Sequence, residues 1–195
     1  MQDLFYEEST TLINEKVEQR KYNLVKFASI FTIFLIVFWV YFDFNFLDLS
    51  NLFVVITAGI LPIVIFVVFA LVLGKIKDKF CVVYDYTFIT GSIRISKVIR
   101  NTKRKSVIKF ECSEIEKIGK IDSELYNSYL NQIHNGLQFI CATSNHVPLD
   151  GKNFYYVVVN ALGKKTLIRL ECNKELIMNI IKFSKRTIID GELLK

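Results

Sequence analysis

Histidine, proline and glycine are scarce in this sequence, and cysteine is thinly spread. The chain has two histidines, two prolines, eight glycines and four cysteines in 195 residues. The cysteines lie about thirty residues apart with no C-x-x-C pair, which excludes short-spaced zinc knuckles and a thioredoxin motif. Neither a P-loop nor a G-x-G-x-x-G motif occurs. We therefore expect no metal ion and no other cofactor.

Charge is absent from two long stretches, residues 27–42 and 52–74. About 20 consecutive apolar residues are enough for a helix to cross a hydrocarbon core of about 30 Å. We therefore predict two membrane spans, over about 24–42 and 52–73. Pro62 lacks a backbone N–H, so we expect the second span to bend in the turn before it.

The charges that flank these spans are asymmetric. The connecting segment 43–51 contains Asp43 and Asp48 and no basic residue, whereas the outer flanks are basic. Their cations are Lys16, Arg20, Lys21, Lys26, Lys75, Lys77 and Lys79. By the positive-inside rule, this pattern predicts a multi-pass protein of the cell membrane with both termini in the cytoplasm. The residues predicted at the membrane interface are Lys26, Trp39, Tyr41, Lys75, Lys77 and Lys79.

Residues 1–22 are predicted to form an amphipathic N-terminal segment. Phe5, Leu12, Ile13 and Val17 form a partial helical stripe among many charges. One interpretation is an interfacial helix that docks on lipid or on the cytosolic domain. The alternative is a solvated helical extension of the first span.

From residue 80 onward the hydrophobic pattern changes from helical to alternating. The stretches "CVVYDYTFI" and "SIRISKVI" are typical of strands, and a Thr90–Gly91 turn joins them. Five further strand-like stretches follow, with a helix predicted over 122–133 and an amphipathic helix over 173–188. The predicted fold is an α+β membrane protein: a two-helix transmembrane hairpin followed by a seven-stranded antiparallel barrel or sandwich with a C-terminal helix, over 80–190.

Several motifs carry a resemblance to a known family. They are "VYDYTFITGSIRISKVI", the basic "KRK" turn, "SEIEKIG" and "NALGKKTLIRLECNKELI". With these motifs the chain resembles a family of uncharacterised bacterial membrane proteins that have a short charged N-terminus, two spans and a PH-like (pleckstrin-homology superfold) cytosolic domain. The resemblance implies the architecture. It brings no catalytic residues, because none is known in the family.

A basic hairpin is the most distinctive feature of the cytosolic part. Its cations are Arg94, Lys97, Arg100, Lys103, Arg104 and Lys105. Its position resembles a loop at the mouth of a PH-like barrel, where eukaryotic relatives of the fold bind anionic head groups, and an anionic leaflet attracts nearby basic residues. The alternative is a solvated turn that only keeps the domain soluble. Nucleic-acid binding is disfavoured because no exposed aromatic residues are interleaved with the charges.

Catalysis by a cysteine is the strongest enzymatic alternative, and it is weak. Cys141 with His134 or His146 contains the residue types of a nucleophile and a base. Nothing nearby resembles an oxyanion-forming glycine turn, and Cys141 alternates with Leu137 and Phe139 as a core residue does. We expect all four cysteines to be buried thiols and the protein not to be an enzyme.

Three functions remain open from the sequence. The leading hypothesis is a non-enzymatic, membrane-anchored PH-like module that scaffolds or recruits a partner protein at the cytoplasmic face of a bacterial membrane. The first alternative is recognition or handling of anionic lipid through the basic hairpin. The second is an accessory subunit of a membrane transport or secretion complex. The expected partners are membrane lipid and a membrane or cytosolic protein, a second copy of the chain included, and no nucleic acid.

Overall fold

The computed structural model describes residues 4–46, 51–100, 102–161, 163–184 and 189–190. It divides into two compact units. The helical unit is Asn14–Cys81, and the β-rich unit combines Met1–Ile13 with Val82–Lys195. The helical unit is therefore an insertion in the sequence of the β-rich unit.

The helical unit contains two long apolar helices. Helix α1 is Glu15–Phe46, and helix α2 is Leu52–Lys77. Both are long and apolar enough to cross a membrane, and most of their side chains are exposed. The two stretches predicted as spans lie inside these helices.

Helix α2 changes its hydrogen-bond pattern just before Pro62. Residues Val55–Ile60 form a π-helical segment in the turn where a bend was predicted, and the bend itself stays a prediction. In a regular helix the carbonyl of Ala58 would accept a bond from residue 62, but proline has no N–H to donate. The indole Nε1–H of Trp39 on α1 donates to the Ala58 oxygen instead, at 3.1 Å. This bond, with the packing of Trp39 on Phe66 at 6.1 Å between ring centroids, joins the two helices.

The N-terminal segment is not the helix that its hydrophobic stripe suggested. Residues Phe5–Ser9 form a strand, β1, that pairs antiparallel with the strand beginning at Val82. Only residues from Glu15 onward are helical, as the N-terminal extension of the first apolar helix. The prediction was wrong for residues 5–9 because pairing with an open sheet edge overrides a weak local helical pattern.

The β-rich unit contains two four-stranded sheets. In the first sheet β1 is followed by β2 (Val82–Ile89), β3 (Ser92–Ile99) and β4 (Lys103–Glu111), in the order β1-β2-β3-β4. The second sheet consists of β5 (Ile115–Lys120), β6 (Gln138–Ala142), β7 (Asn153–Ala161) and β8 (Lys164–Cys172), in the order β5-β7-β8-β6. Short 3-10 turns lie at Cys112–Glu114 and Ile133–Asn135.

Two details of the predicted sandwich need correction. Among the described residues there are eight strands rather than seven, because β1 adds to the first sheet. The fold is also not wholly antiparallel, since β6 pairs parallel with β8. Alternating hydrophobicity shows which side chains share a face, but it carries no information on strand direction.

The core lies between the two sheets and is covered by the C-terminal helix. Helix α4 (Lys174–Phe183) buries Leu176, Ile177 and Ile180 against both sheets. This helix ends at Phe183, and the rest of the predicted helix, residues 185–188, lies outside the described residues.

Helix α3 (Glu124–Gln132) covers the other face of the second sheet. The Ser123 hydroxyl accepts a bond from the Tyr126 N–H at 3.3 Å and caps this helix. Tyr126 packs against Tyr156 of β7, with 5.5 Å between ring centroids.

Candidate functional site

The chain leaves the first sheet for the apolar helices, and returns from them, at the same end of that sheet. The chain leaves β1 after Ser9, which pairs with Asp85, and re-enters the sheet at Val82. Both connections therefore lie at the same end of the β1–β2 pair. We call this the exit end of the first sheet.

The turn between β3 and β4 lies at the exit end as well. Ile99, the last residue of β3, pairs with Val82 on one side and with Lys103 on the other. Four of the six cations of the predicted basic hairpin gather here: Lys97, Arg100, Lys103 and Lys105. We call these four residues the exit cluster.

The lysines of the exit cluster have no acidic partner in the part of the chain that the structure describes. Lys97 lies directly opposite Lys105 in the β3–β4 register, and like charges in such a pair destabilise a sheet. Among the described residues, no carboxylate forms an ion pair with Lys97, Lys103 or Lys105. These three lysines therefore concentrate positive charge that an external anion can balance.

The other two cations of the predicted strip do not belong to this cluster. Arg104 points to the opposite face of the sheet, where its guanidinium lies 2.9 Å from the Asp85 carboxylate and 3.9 Å from that of Glu7. Arg94 lies farther along β3, opposite Lys109. The sequence alone could not separate them, because the six residues are close together in the chain.

The residues predicted at a membrane interface flank the exit end in the sequence. Lys75 and Lys77 lie in the last turn of α2, and Lys79 follows in the link to β2. Lys26 and Tyr41 are exposed on α1, and the half-buried Trp39 is hydrogen-bonded to Ala58 of α2. Their position at a bilayer surface stays a prediction.

A buried ion pair holds β1 in the first sheet. The Glu8 carboxylate lies 2.8 Å from Lys152 Nζ, and both side chains are largely buried. Glu8 also accepts bonds from the Asn173 N–H and the Tyr6 hydroxyl, while Lys152 donates to the Ser9 carbonyl at 2.7 Å. Burial, and then the nearby Glu8 carboxylate, raises the pKa of Tyr6 to about 12, so this hydroxyl stays a donor at neutral pH.

A second set of polar contacts holds the residues between β1 and α1. The Asn145 amide donates to the Thr11 carbonyl at 2.8 Å and to the fully buried Glu171 carboxylate at 2.9 Å, and it accepts from the Ile13 N–H at 3.0 Å. Thr10 bonds with Ser144 at 2.6 Å between hydroxyl oxygens. Together with the Glu8–Lys152 pair, these contacts form a polar network that fixes the chain up to residue 13.

Sequence reasoning missed this network. Its one signal is Glu171, a carboxylate in the mainly apolar stretch "TLIRLEC" of β8. A buried carboxylate needs hydrogen-bond partners, so a glutamate in a core strand indicates that polar groups converge on it. Its partners lie in the loop after β6 and were not identifiable from spacing.

The four cysteines differ in their exposure and in their contacts. Cys141 is exposed rather than buried, because its alternation with Leu137 and Phe139 places it on the outer face of β6. Its thiol contacts the Thr143 hydroxyl at 3.3 Å, and no hydrogen bond joins it to His134 or His146, all of which are described residues. Cys81, Cys112 and Cys172 are buried, as expected. In the described part of the chain, no group of three His, Cys, Asp or Glu residues is placed to hold a metal ion.

Comparison with protein-family models identifies the family. A family model described as "Bacterial PH-like domain (DUF6106)" matches residues 2–190, which includes β1, both apolar helices and both sheets. Neither a curated protein nor a solved structure matches the chain.

Proposed function

Since the chain belongs to the bacterial PH-like domain family, we propose that it is a non-enzymatic interaction module, anchored by two membrane spans, that recruits a partner protein to the cytoplasmic face of a bacterial membrane. The proposal joins two parts, the anchor and the recruitment.

The insertion of the apolar helices between two paired strands is the observation that carries the anchor. Strands β1 and β2 are neighbours in one sheet, so both ends of the helical insertion must return to the same side of any bilayer it enters. A hairpin of two spans meets this condition, and a single span does not. The basic flanks and the acidic connecting segment favour the cytoplasm as that side.

Two short links limit how far the module can lie from the helical unit. Val82 follows Lys77 by five residues, which reach at most about 17 Å. On the other side, the polar network fixes the chain up to Ile13, and α1 begins at Glu15. Links this short keep the proposed module close to its anchor. This arrangement favours binding to a partner at the same membrane, because tethering raises the effective concentration of the module and of the partner there.

Crosslinking in intact membranes tests the recruitment. The whole chain is crosslinked in its native membrane, purified in detergent and analysed for covalent adducts. We expect an adduct with a second protein that is absent when the crosslinker is omitted. Recovery of the chain alone, or only of adducts between its own copies, contradicts recruitment.

A second candidate function, contact with anionic lipid, is supported by the exit cluster. Its unneutralised lysines lie at the end of the sheet that continues into the helices, where each basic side chain near an anionic leaflet gains about 1 kcal/mol. This contact is compatible with recruitment, since the cluster would hold the module against the lipid.

A fluorophore in the β3–β4 turn tests the lipid contact. A Thr102→Cys variant, with Cys141→Ser to remove the exposed native thiol, is labelled with a polarity-sensitive dye and placed in nanodiscs of neutral or anionic lipid. We expect the anionic lipid to shift the emission to the blue, and the triple change Lys97→Gln, Lys103→Gln and Lys105→Gln to abolish that shift. Equal emission in both lipids contradicts the contact. The change Arg94→Gln with Lys109→Gln is the matched control, because it removes basic charge away from the exit end.

A further inference from the structure

We propose that the outer face of the first sheet, at the end opposite the exit end, binds an acidic and partly apolar segment of a partner protein. This inference rests on the proposed function, for which it names the docking surface and the chemistry of the partner. The surface consists of Phe5, Thr87, Ile89, Arg94 and Lys109, and we call it the outer patch.

The electrostatics of the outer patch favour an anionic partner. Arg94 and Lys109 lie directly opposite each other in the β3–β4 register, and both are exposed. Two like charges in this position repel each other and destabilise the pair. Among the described residues neither one has a carboxylate within ion-pair distance. Arg104, on the same face, does have acidic partners, so the outer patch differs from its surroundings.

Apolar side chains lie beside these cations. Phe5 of β1 and Ile89 of β2 are register partners, and they are 61% and 51% exposed. A shallow groove of about 250 Å³ is lined by Thr87, Ile89, Ser92, Arg94 and Lys109. Exposed apolar residues next to unneutralised cations match a segment that carries both carboxylates and aliphatic side chains.

The position of the outer patch disfavours a lipid surface as its occupant. Arg94 lies five residues before Ile99, so it is about 17 Å along the strand from the exit end. The patch therefore lies away from the end at which the chain continues into the apolar helices.

A second copy of the chain is also disfavoured. In a two-fold symmetric contact the same patch faces itself, which would bring four cations together. A partner with acidic side chains removes the repulsion between Arg94 and Lys109 instead of increasing it.

Two synthetic peptides test the chemistry of the partner. The full chain is placed in nanodiscs of neutral lipid and titrated with labelled peptides of equal length, one alternating glutamate with leucine and valine, the other with lysine in place of glutamate. Fluorescence anisotropy measures binding. We expect the glutamate peptide to bind and the lysine peptide not to bind. We also expect Arg94→Gln with Lys109→Gln to weaken binding about tenfold.

Two further variants locate the binding. The change Lys103→Gln with Lys105→Gln removes the same charge at the exit end, and it should leave the peptide affinity unchanged. Phe5→Ser, at a highly exposed position, should weaken binding without affecting the thermal stability of the domain.

Three outcomes would overturn the inference. The first is equal binding of both peptides, and the second is unchanged binding after substitution of Arg94 and Lys109. The third is displacement of the glutamate peptide by a single-stranded oligonucleotide at a lower concentration than by unlabelled peptide. That result would indicate nucleic acid as the ligand of the outer patch. Failure here is distinct from failure of the proposed function. If a partner is crosslinked but the outer-patch variants do not affect it, the docking surface lies elsewhere on the module. If no partner is crosslinked in membranes, recruitment itself is contradicted.

Discussion

At the scale of single residues, Gly119 shows how tightly the second sheet packs around its polar groups. A Cβ atom at this position would lie 2.6 Å from the Tyr156 ring and 2.8 Å from Asp190 Cβ. Tyr156 is fully buried, and its hydroxyl donates to the Asp190 carboxylate at 2.9 Å. Neither neighbour moves without breaking this buried hydrogen bond, so only glycine fits.

We predict that Gly119→Ala lowers the free energy of unfolding by about 1–3 kcal/mol, the usual range for overpacking a filled core. Chemical denaturation in detergent measures it. Gly74→Ala is the control, because nothing lies within 4 Å of a Cβ at Gly74 and alanine favours a helix. Equal effects of the two changes would contradict the steric explanation.

At the scale of elements, the polar network decides whether β1 stays in the first sheet. The Lys152→Met variant would leave the buried Glu8 carboxylate without its cation. Loss of one partner of a buried pair costs about 3–5 kcal/mol. We predict a loss of unfolding free energy near the lower value, because Glu8 keeps its bonds from Asn173 and Tyr6. We also predict faster amide hydrogen exchange in residues 5–9 than in β7.

The matched control for this prediction is Lys165→Met. It removes another lysine–glutamate ion pair, in which Lys165 Nζ lies 2.6 Å from the Glu116 carboxylate. These two side chains are 41% and 36% exposed. An exposed pair contributes at most about 1 kcal/mol. If Lys152→Met destabilises the domain no more than Lys165→Met, the network does not hold β1.

The bond between α1 and α2 gives a second prediction at this scale. Trp39→Phe removes the donor to the Ala58 carbonyl and should cost about 1 kcal/mol, the typical value for such bonds between apolar helices. Pro62→Ala supplies the backbone N–H that a regular helix donates to the same carbonyl. A double-mutant cycle of unfolding free energies in detergent should therefore show a smaller effect of Trp39→Phe when residue 62 is alanine. Additive effects would contradict this account.

At the scale of the whole molecule, local patterns predicted those parts of the fold that local patterns determine. The apolar runs predicted both long helices, and alternation in "VYDYTF" and "SIRIS" predicted β2 and β3 with the turn at Thr90–Gly91. Strand β1 was missed because its five residues pair with a strand more than seventy residues away and depend on Lys152 and Asn173. The exit cluster was found as a group of cations, but strand register was needed to separate it from Arg94 and Arg104.

The same insertion limits how the protein can be dissected. A fragment that begins at residue 80 lacks β1, and with it Glu8 and half of the buried ion pair. Functional tests therefore need the full chain in a membrane or a membrane mimic.

The central claim is that a membrane hairpin is inserted between two paired strands, and labelling of cysteines from either side of the membrane tests it most directly. Cys141, the exposed native thiol, reports on the β-rich unit, and Asn45→Cys in a Cys141→Ser background reports on the far end of α1. With a membrane-impermeant maleimide, we predict that Cys141 is labelled only in inside-out vesicles and residue 45 only in right-side-out vesicles. Labelling of both positions from the same side, or release of the chain by a carbonate wash, would contradict the account.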